Sequence, residues 1–225
     1  MNNQMIRTLV LFAALLSSQL CFSSCKENPL LPTTYWITSG TYVSAFGGYA
    51  SEDWVTFAAT PFISYSSNSR GGMNYGFTLG YRFYRFFAIE GGWVRLPTVK
   101  GVALTNATLS PPLFSSSGIS QWFGYLSGKF YVTLPNHFYL FGGAGIMYRA
   151  TNPRPTQFFT NNQAYYYAPI ALAGLEWYFT QDWAVYTQYY FVPEYNLTLL
   201  PQPVNFFNVP AANLIELGLL YKFSI

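Results

Sequence analysis

Apolar and polar residues alternate along this chain with a period of two, from about residue 35 to the last residue. That period is the mark of a β-strand with one apolar and one polar face. In the segment 80–93, GYRFYRFFAIEGGW, the large apolar side chains Tyr81, Phe83, Phe87 and Ile89 share one parity, whereas Arg82 and Glu90 fall on the other. The final segment, NLIELGLLYKFSI, repeats the division: Ile215, Leu217, Leu219, Tyr221, Phe223 and Ile225 oppose Glu216, Gly218, Leu220, Lys222 and Ser224. Eight such segments are predicted, at about 35–49, 73–83, 87–96, 119–132, 138–149, 167–179, 184–193 and 213–225. Each is about long enough to cross a bilayer as a tilted strand, which takes roughly 9–11 residues.

The connections alternate between short and long. YRF at 84–86, LPN at 134–136 and TQD at 180–182 are tight turns; about 50–72, 97–118, 150–166 and 194–212 are long and rich in Ser, Asn, Pro and Thr. Short turns on the periplasmic side and long loops outside are the layout of an up-and-down barrel in an outer membrane. A loose repeat agrees: GYRF, GKFY, GLEWYF and GLLYKF begin at Gly80, Gly128, Gly174 and Gly218, spaced by 48, 46 and 44 residues. Four hairpin units close into eight strands, and closure removes the unpaired edges that lipid cannot satisfy. The predicted fold is therefore all-β, an eight-stranded antiparallel transmembrane barrel. The segment WVTFAATPFISYS (54–66) leaves three readings open: a hairpin above the membrane, a plain loop, or a strand pair that makes the barrel ten-stranded.

With the apolar faces toward lipid, Arg82, Glu90, Lys129, Glu176, Gln188, Glu216 and Lys222 point inward. Eight strands enclose little more than their own side chains, so these groups are expected to neutralise one another as pairs and plug the lumen. Gly76, Gly80, Gly92, Gly143 and Gly145 either make room for long side chains or mark bends of the wall. Aromatic girdles are expected at both rims. Phe83, Tyr84, Phe86, Phe87, Tyr131, Phe138, Trp177, Phe179 and Trp183 form the periplasmic one; Tyr49, Trp54, Trp93, Trp122, Tyr148, Tyr165, Tyr190 and Tyr195 form the outer one.

Composition sharpens this picture. Aromatic residues make up 21% of the 225 and charged residues only 8%, against roughly 25% charged in a soluble domain. Net charge is +3, yet the basic residues are scattered, which excludes the clustered patch that nucleic acid requires. At the start, Arg7 precedes the apolar run LVLFAALL and small residues follow, predicting a signal peptide over residues 1–25. A periplasmic leader follows at 26–34, and the barrel domain covers 35–225. The stretch FSSC also makes Cys25 a candidate for lipidation, and Cys21 and Cys25 are the only cysteines.

No cofactor motif, metal-ligand spacing or catalytic constellation is present. The single histidine, His137, falls in a periplasmic turn, and Glu52 and Asp53 read as solvated loop charges, so no enzyme is expected.

GTYVSAFGGYA as a first strand, YGFTLGYRFYRFFAIEGGW as a first hairpin and LIELGLLYKFSI as a closing strand carry a resemblance. The chain resembles the small outer-membrane barrels related to the transmembrane domain of outer-membrane protein A, over essentially all of residues 35–225. The resemblance implies residence among outer-membrane lipids, delivery by the barrel assembly machinery, and outer loops that contact host surfaces, other cells or phage. Members of that family end on an aromatic residue used in assembly; here the final residue is Ile225, with Phe223 on the same face. The leading reading is a structural or surface-exposed envelope protein. The alternatives are a narrow pore for small or apolar solutes and a soluble lipocalin-like barrel.

Overall fold

Alternation becomes architecture once each strand finds a neighbour on both sides. The computed structural model describes residues 39–54, 56–59, 63–67, 69–106, 117–153, 164–194 and 209–223. The predicted signal peptide, the leader, Cys25 and Tyr195 lie outside them. Among the described residues eleven strands form: β1 (Gly40–Glu52), β2 (Thr56–Ala59), β3 (Ile63–Ser66), β4 (Gly71–Tyr84), β5 (Phe87–Arg95), β6 (Val99–Asn106), β7 (Ser117–Thr133), β8 (Phe138–Pro153), β9 (Ala164–Tyr178), β10 (Trp183–Val192) and β11 (Ala212–Lys222).

Eight of these make the wall. The order β1-β4-β5-β7-β8-β9-β10-β11 is antiparallel throughout, and β11 returns to β1 from Tyr42↔Lys222 to Glu52↔Ala212, closing the ring. The remaining three stand outside the wall. β6 continues the sheet from the outer end of β7, β3 pairs with β6 from Ile63↔Asn106 to Ser66↔Ala103, and β2 pairs with β3. Within the segment 54–66, β2 and β3 therefore pair with each other beyond the ring, and the wall stays eight-stranded. The wall is also taller on one side: β7 and β8 pair up to Ile119↔Pro153 and β8 and β9 up to Thr151↔Ala164, whereas β9 and β10 part after Phe191↔Ala171.

Burial follows parity. In β11, Leu214 and Glu216 are 0% and 1% exposed, while Ile215 and Leu217 are 65% and 62% exposed. Large apolar side chains cover the outside of every wall strand, Phe77, Leu79, Leu126, Phe130, Leu140 and Ile146 among them. The outer surface is thus the apolar one, the reverse of a soluble lipocalin-type barrel, whose lumen would be apolar and whose exterior polar.

Inside, five aromatic rings lie directly opposite glycines. Tyr42 faces Gly80, Phe46 faces Gly76, Tyr125 faces Gly92, Phe141 faces Gly174 and Tyr186 faces Gly218. A Cβ at any of these glycines would collide with the opposing ring. The ring fills the space that the missing side chain leaves, a device that pins register in a sheet. Gly128 departs from the repeat: it points outward, against the Phe87 ring, and Lys129 takes the inward place.

The short turns have local causes. Asn136 and His137 both adopt positive φ, 60° and 64°, and the Phe138 amide donates to the Pro135 carbonyl. That is the two-residue hairpin geometry whose twist matches the flanking strands. In the β9–β10 turn, Thr180 Oγ1 accepts hydrogen bonds from the Asp182 and Trp183 amides.

Candidate functional site

The lumen is where the sequence concentrates its polar side chains. Among the described residues, eight charged side chains are buried: Glu52, Glu90, Glu176 and Glu216 against Arg82, Lys129, Arg149 and Lys222. The two signs balance. Gln188 is buried with them.

Near the periplasmic end, Arg82 from β4 meets Glu176 from β9 across the lumen, Nη2 to Oε2 at 2.8 Å. Arg82 Nη1 donates to the Tyr178 hydroxyl, Tyr131 donates to Glu176 Oε1, and the guanidinium lies 4.0 Å from the centre of the Tyr131 ring. Lys222 is buried at the periplasmic end of β11. One layer up, Lys129 Nζ lies 2.7 Å from Glu90 Oε2 and 2.9 Å from Gln188 Oε1. Glu90 also accepts from the Tyr42 and Tyr125 hydroxyls, and Tyr125 shares a 2.5 Å hydrogen bond with Tyr190. Beside these, Ser44 bridges Thr78 and Tyr186. Glu216 is different. Asn74 Nδ2 donates to its Oε1 at 2.6 Å, but among the described residues no cation lies within ion-pair distance and Oε2 has no hydrogen-bond partner.

The outer end holds a cluster that strand-by-strand reading missed. Arg149 from β8 pairs with Glu52 at the end of β1 at 2.8 Å and also donates to Gln121 Oε1. Gln121 Nε2 and Trp54 Nε1 both donate to Glu52 Oε2. The cluster then reaches the loop bases through three proline carbonyls. Gln121 donates to Pro97, Arg149 to Pro210, and Tyr166, which accepts from Arg149, donates to Pro193.

Several placements correct the sequence reading. Glu52 is not a solvated loop charge: β1 runs to it, and its side chain turns inward with Tyr42, Ser44 and Phe46; Asp53 is exposed. Trp54 and Tyr190 are not girdle residues. Both are fully buried in the lumen, because Trp54 continues the even parity of β1 and Tyr190 shares the parity of Gln188. Tyr131 is likewise inward, on the parity of Lys129. Strand parity was the signal in each case, and a buried hydroxyl or indole N–H that finds an acceptor makes it affordable. Phe83, Trp177 and Trp183 are exposed on the outer wall. Phe87 stacks on Phe83, Trp93 on Phe77, and Trp122 leans on Tyr148, all on the same outer face.

Chemically, this arrangement holds charge in place. Each ion pair is enclosed by hydroxyls and amides that satisfy further lone pairs, the condition under which buried charge is tolerated. Among the described residues, no group of three His, Cys, Asp or Glu could hold a metal ion. His137 sits in the β7–β8 turn at the periplasmic end, so a serine–histidine pair at the outer rim has no histidine to use.

Comparison with known proteins gives a consistent result. The model of a family described as the OmpA-like transmembrane domain matches residues 38–225. The outer membrane protein OprG of Pseudomonas aeruginosa superposes with a TM-score of 0.56 at 14% identity, covering 85% of this chain and 100% of that one. Neisserial surface protein A superposes with a TM-score of 0.54 at 14% identity, covering 82% of this chain and 98% of that one. At such identities the two structures share the fold. No curated protein sequence matches this chain.

Proposed function

Because the chain belongs to the OmpA-like transmembrane domain family and resides in the bacterial outer membrane, we propose that it serves there as a closed-lumen barrel whose working surface is its outer loops. One observation carries this reading: ion pairs occupy the lumen at both ends and between them, from Arg82–Glu176 through Lys129–Glu90 to Arg149–Glu52. A barrel of eight strands has about enough interior for its own side chains, and here those side chains are interlocked. The wall is then a mount, held in outer-membrane lipid and delivered by the barrel assembly machinery. Long connections on one side only leave those loops as the part that meets host surfaces or other cells.

The test is conductance of the refolded mature chain in a planar bilayer, alongside Lys129→Ala and Glu176→Ala, with heat-modifiable gel mobility to verify folding. Folded protein that stays electrically silent is the expected result. Steady channels whose conductance changes in the two variants would replace this reading with that of a narrow pore.

A further inference from the structure

Among the described residues, three of the four buried acids of the lumen are paired with a cation, and Glu216 is not. The charged groups that face it across the lumen are Lys129 on β7 and Glu90 on β5, and these two are paired with each other. Tyr186 and Tyr190 flank Gln188 on the neighbouring β10 and bring phenolic hydroxyls. Lys222 lies six residues further along the same strand, about 20 Å away at the rise of an extended chain.

Glu216 stands instead in a row of positions set by register. Gln188 on β10 is opposite Glu216, Glu216 is opposite Gly48 on β1, and Gly48 is opposite Asn74 on β4. Glu216 and Asn74 are thus two strands apart, with about 10 Å between their backbones. They meet over Gly48, which has no side chain to stand between them. The Asn74 amide donates to Glu216 Oε1 at 2.6 Å, and both residues are 1% exposed. Two oxygens are left over, Glu216 Oε2 and Asn74 Oδ1, each buried without a hydrogen-bond partner. If the carboxyl is ionised, both are acceptors and neither can serve the other. Gln188 Nε2, beside them in the row, has no partner either, and it adds a neutral donor rather than a countercharge.

We propose that Glu216 is held as a neutral carboxylic acid, closed on the Asn74 amide by two antiparallel hydrogen bonds: Nδ2–H to Oε1, and O–H from Oε2 to Oδ1. One proton then satisfies both leftover oxygens. Turning the Asn74 amide over does not, because an ionised carboxylate facing an amide meets one N–H and one oxygen in either orientation. Enclosing an ionised carboxylate that has no countercharge is costly, whereas a neutral acid with both oxygens bonded is tolerated. The pair acts as a clasp. It fastens β4 to β11 across β1, over the seam where the last strand closes on the first. Loss of the proton would set two acceptor oxygens against each other and open one half of it.

The test is the infrared spectrum of the refolded mature chain in an ester-free detergent at neutral pH, with gel mobility before and after heating to verify folding. A protonated carboxyl shows a carbonyl stretch above the amide band, and a carboxylate does not. That stretch is expected in the folded wild type, moved to lower frequency when the chain is made with glutamate carrying carbon-13 in its side-chain carboxyl. It is expected to be lost in Glu216→Gln. In Asn74→Leu it is expected to persist at higher frequency, because the carboxyl has lost both of its bonds to the amide. A folded wild type with no label-sensitive stretch would overturn the proposal without recourse to any variant, the carboxylate then being ionised against a bound cation or water. A stretch that survives in Glu216→Gln would overturn it by placing the proton on another acid. An unchanged position in Asn74→Leu would overturn it by removing Asn74 as the partner.

Discussion

The lower and upper ends of the lumen solve the same electrostatic problem in different ways. Arg82 and Glu176 stand two residues from the periplasmic ends of β4 and β9, and their remaining polar contacts go to Tyr131 and Tyr178, which are also on strands. Glu52 ends β1 and Arg149 lies in the outer part of β8, and their cluster directs three hydrogen bonds to the carbonyls of Pro97, Pro193 and Pro210 at the feet of loops. The lower pair ties wall to wall; the upper pair ties wall to loops. Similar residues thus serve the barrel's integrity at one end and the posture of its outer face at the other.

The sharpest break is Glu176→Leu. It strands the Arg82 guanidinium in a buried site, and a loss of about 3–5 kcal/mol is expected, read from urea unfolding of the barrel in lipid vesicles. Arg82→Leu combined with Glu176→Leu should recover most of it, because no lone charge remains. If the double variant is as unstable as the single one, packing rather than charge is what the lower pair supplies.

Arg149→Leu should cost less, about 2 kcal/mol, because Glu52 keeps the Trp54 and Gln121 donors. Its distinguishing effect is on the loops. Limited proteolysis of intact vesicles should cleave outer segments faster in Arg149→Leu than in Glu176→Leu, and equal rates would erase the contrast between the two ends.

The smallest effect belongs to Glu216→Gln. Among the described residues no cation pairs with this carboxylate, and an amide keeps an acceptor for Asn74 while giving the other position a donor. A change within about 1 kcal/mol is expected in the same unfolding measurement. A loss as large as that of Glu176→Leu would mean that the lumen charges act as one network rather than as separate pairs.

The two ends also differ in how far the sequence disclosed them. Wall strands, turn positions and the inward parity of Arg82, Glu90, Lys129 and Glu176 are legible because lipid demands an unbroken apolar face along a whole strand. The upper cluster is obscure because strands lengthen beyond the bilayer, where that demand stops. Glu52 and Trp54 continue the even parity of β1 past residue 49, the end of the predicted segment, and Arg149 is the last residue of its own predicted segment. Tyr131 and Tyr190 were obscured for another reason: an aromatic ring suits a girdle and a lumen equally, so chemical type overrode the parity that placed them. Pairing of β3 with β6 rests on contacts between distant segments, which local alternation cannot specify.

The rings set against glycines bear on how such a wall finds its alignment. A neighbouring strand displaced by one residue would turn apolar side chains inward, and lipid alone refuses that error. A displacement by two keeps every face correct and is refused only from within: Tyr42 would then stand over Thr78 or Arg82 instead of Gly80, and Phe46 over Asn74 or Thr78 instead of Gly76. The glycines work as a proofreading code for the slips that the membrane cannot detect.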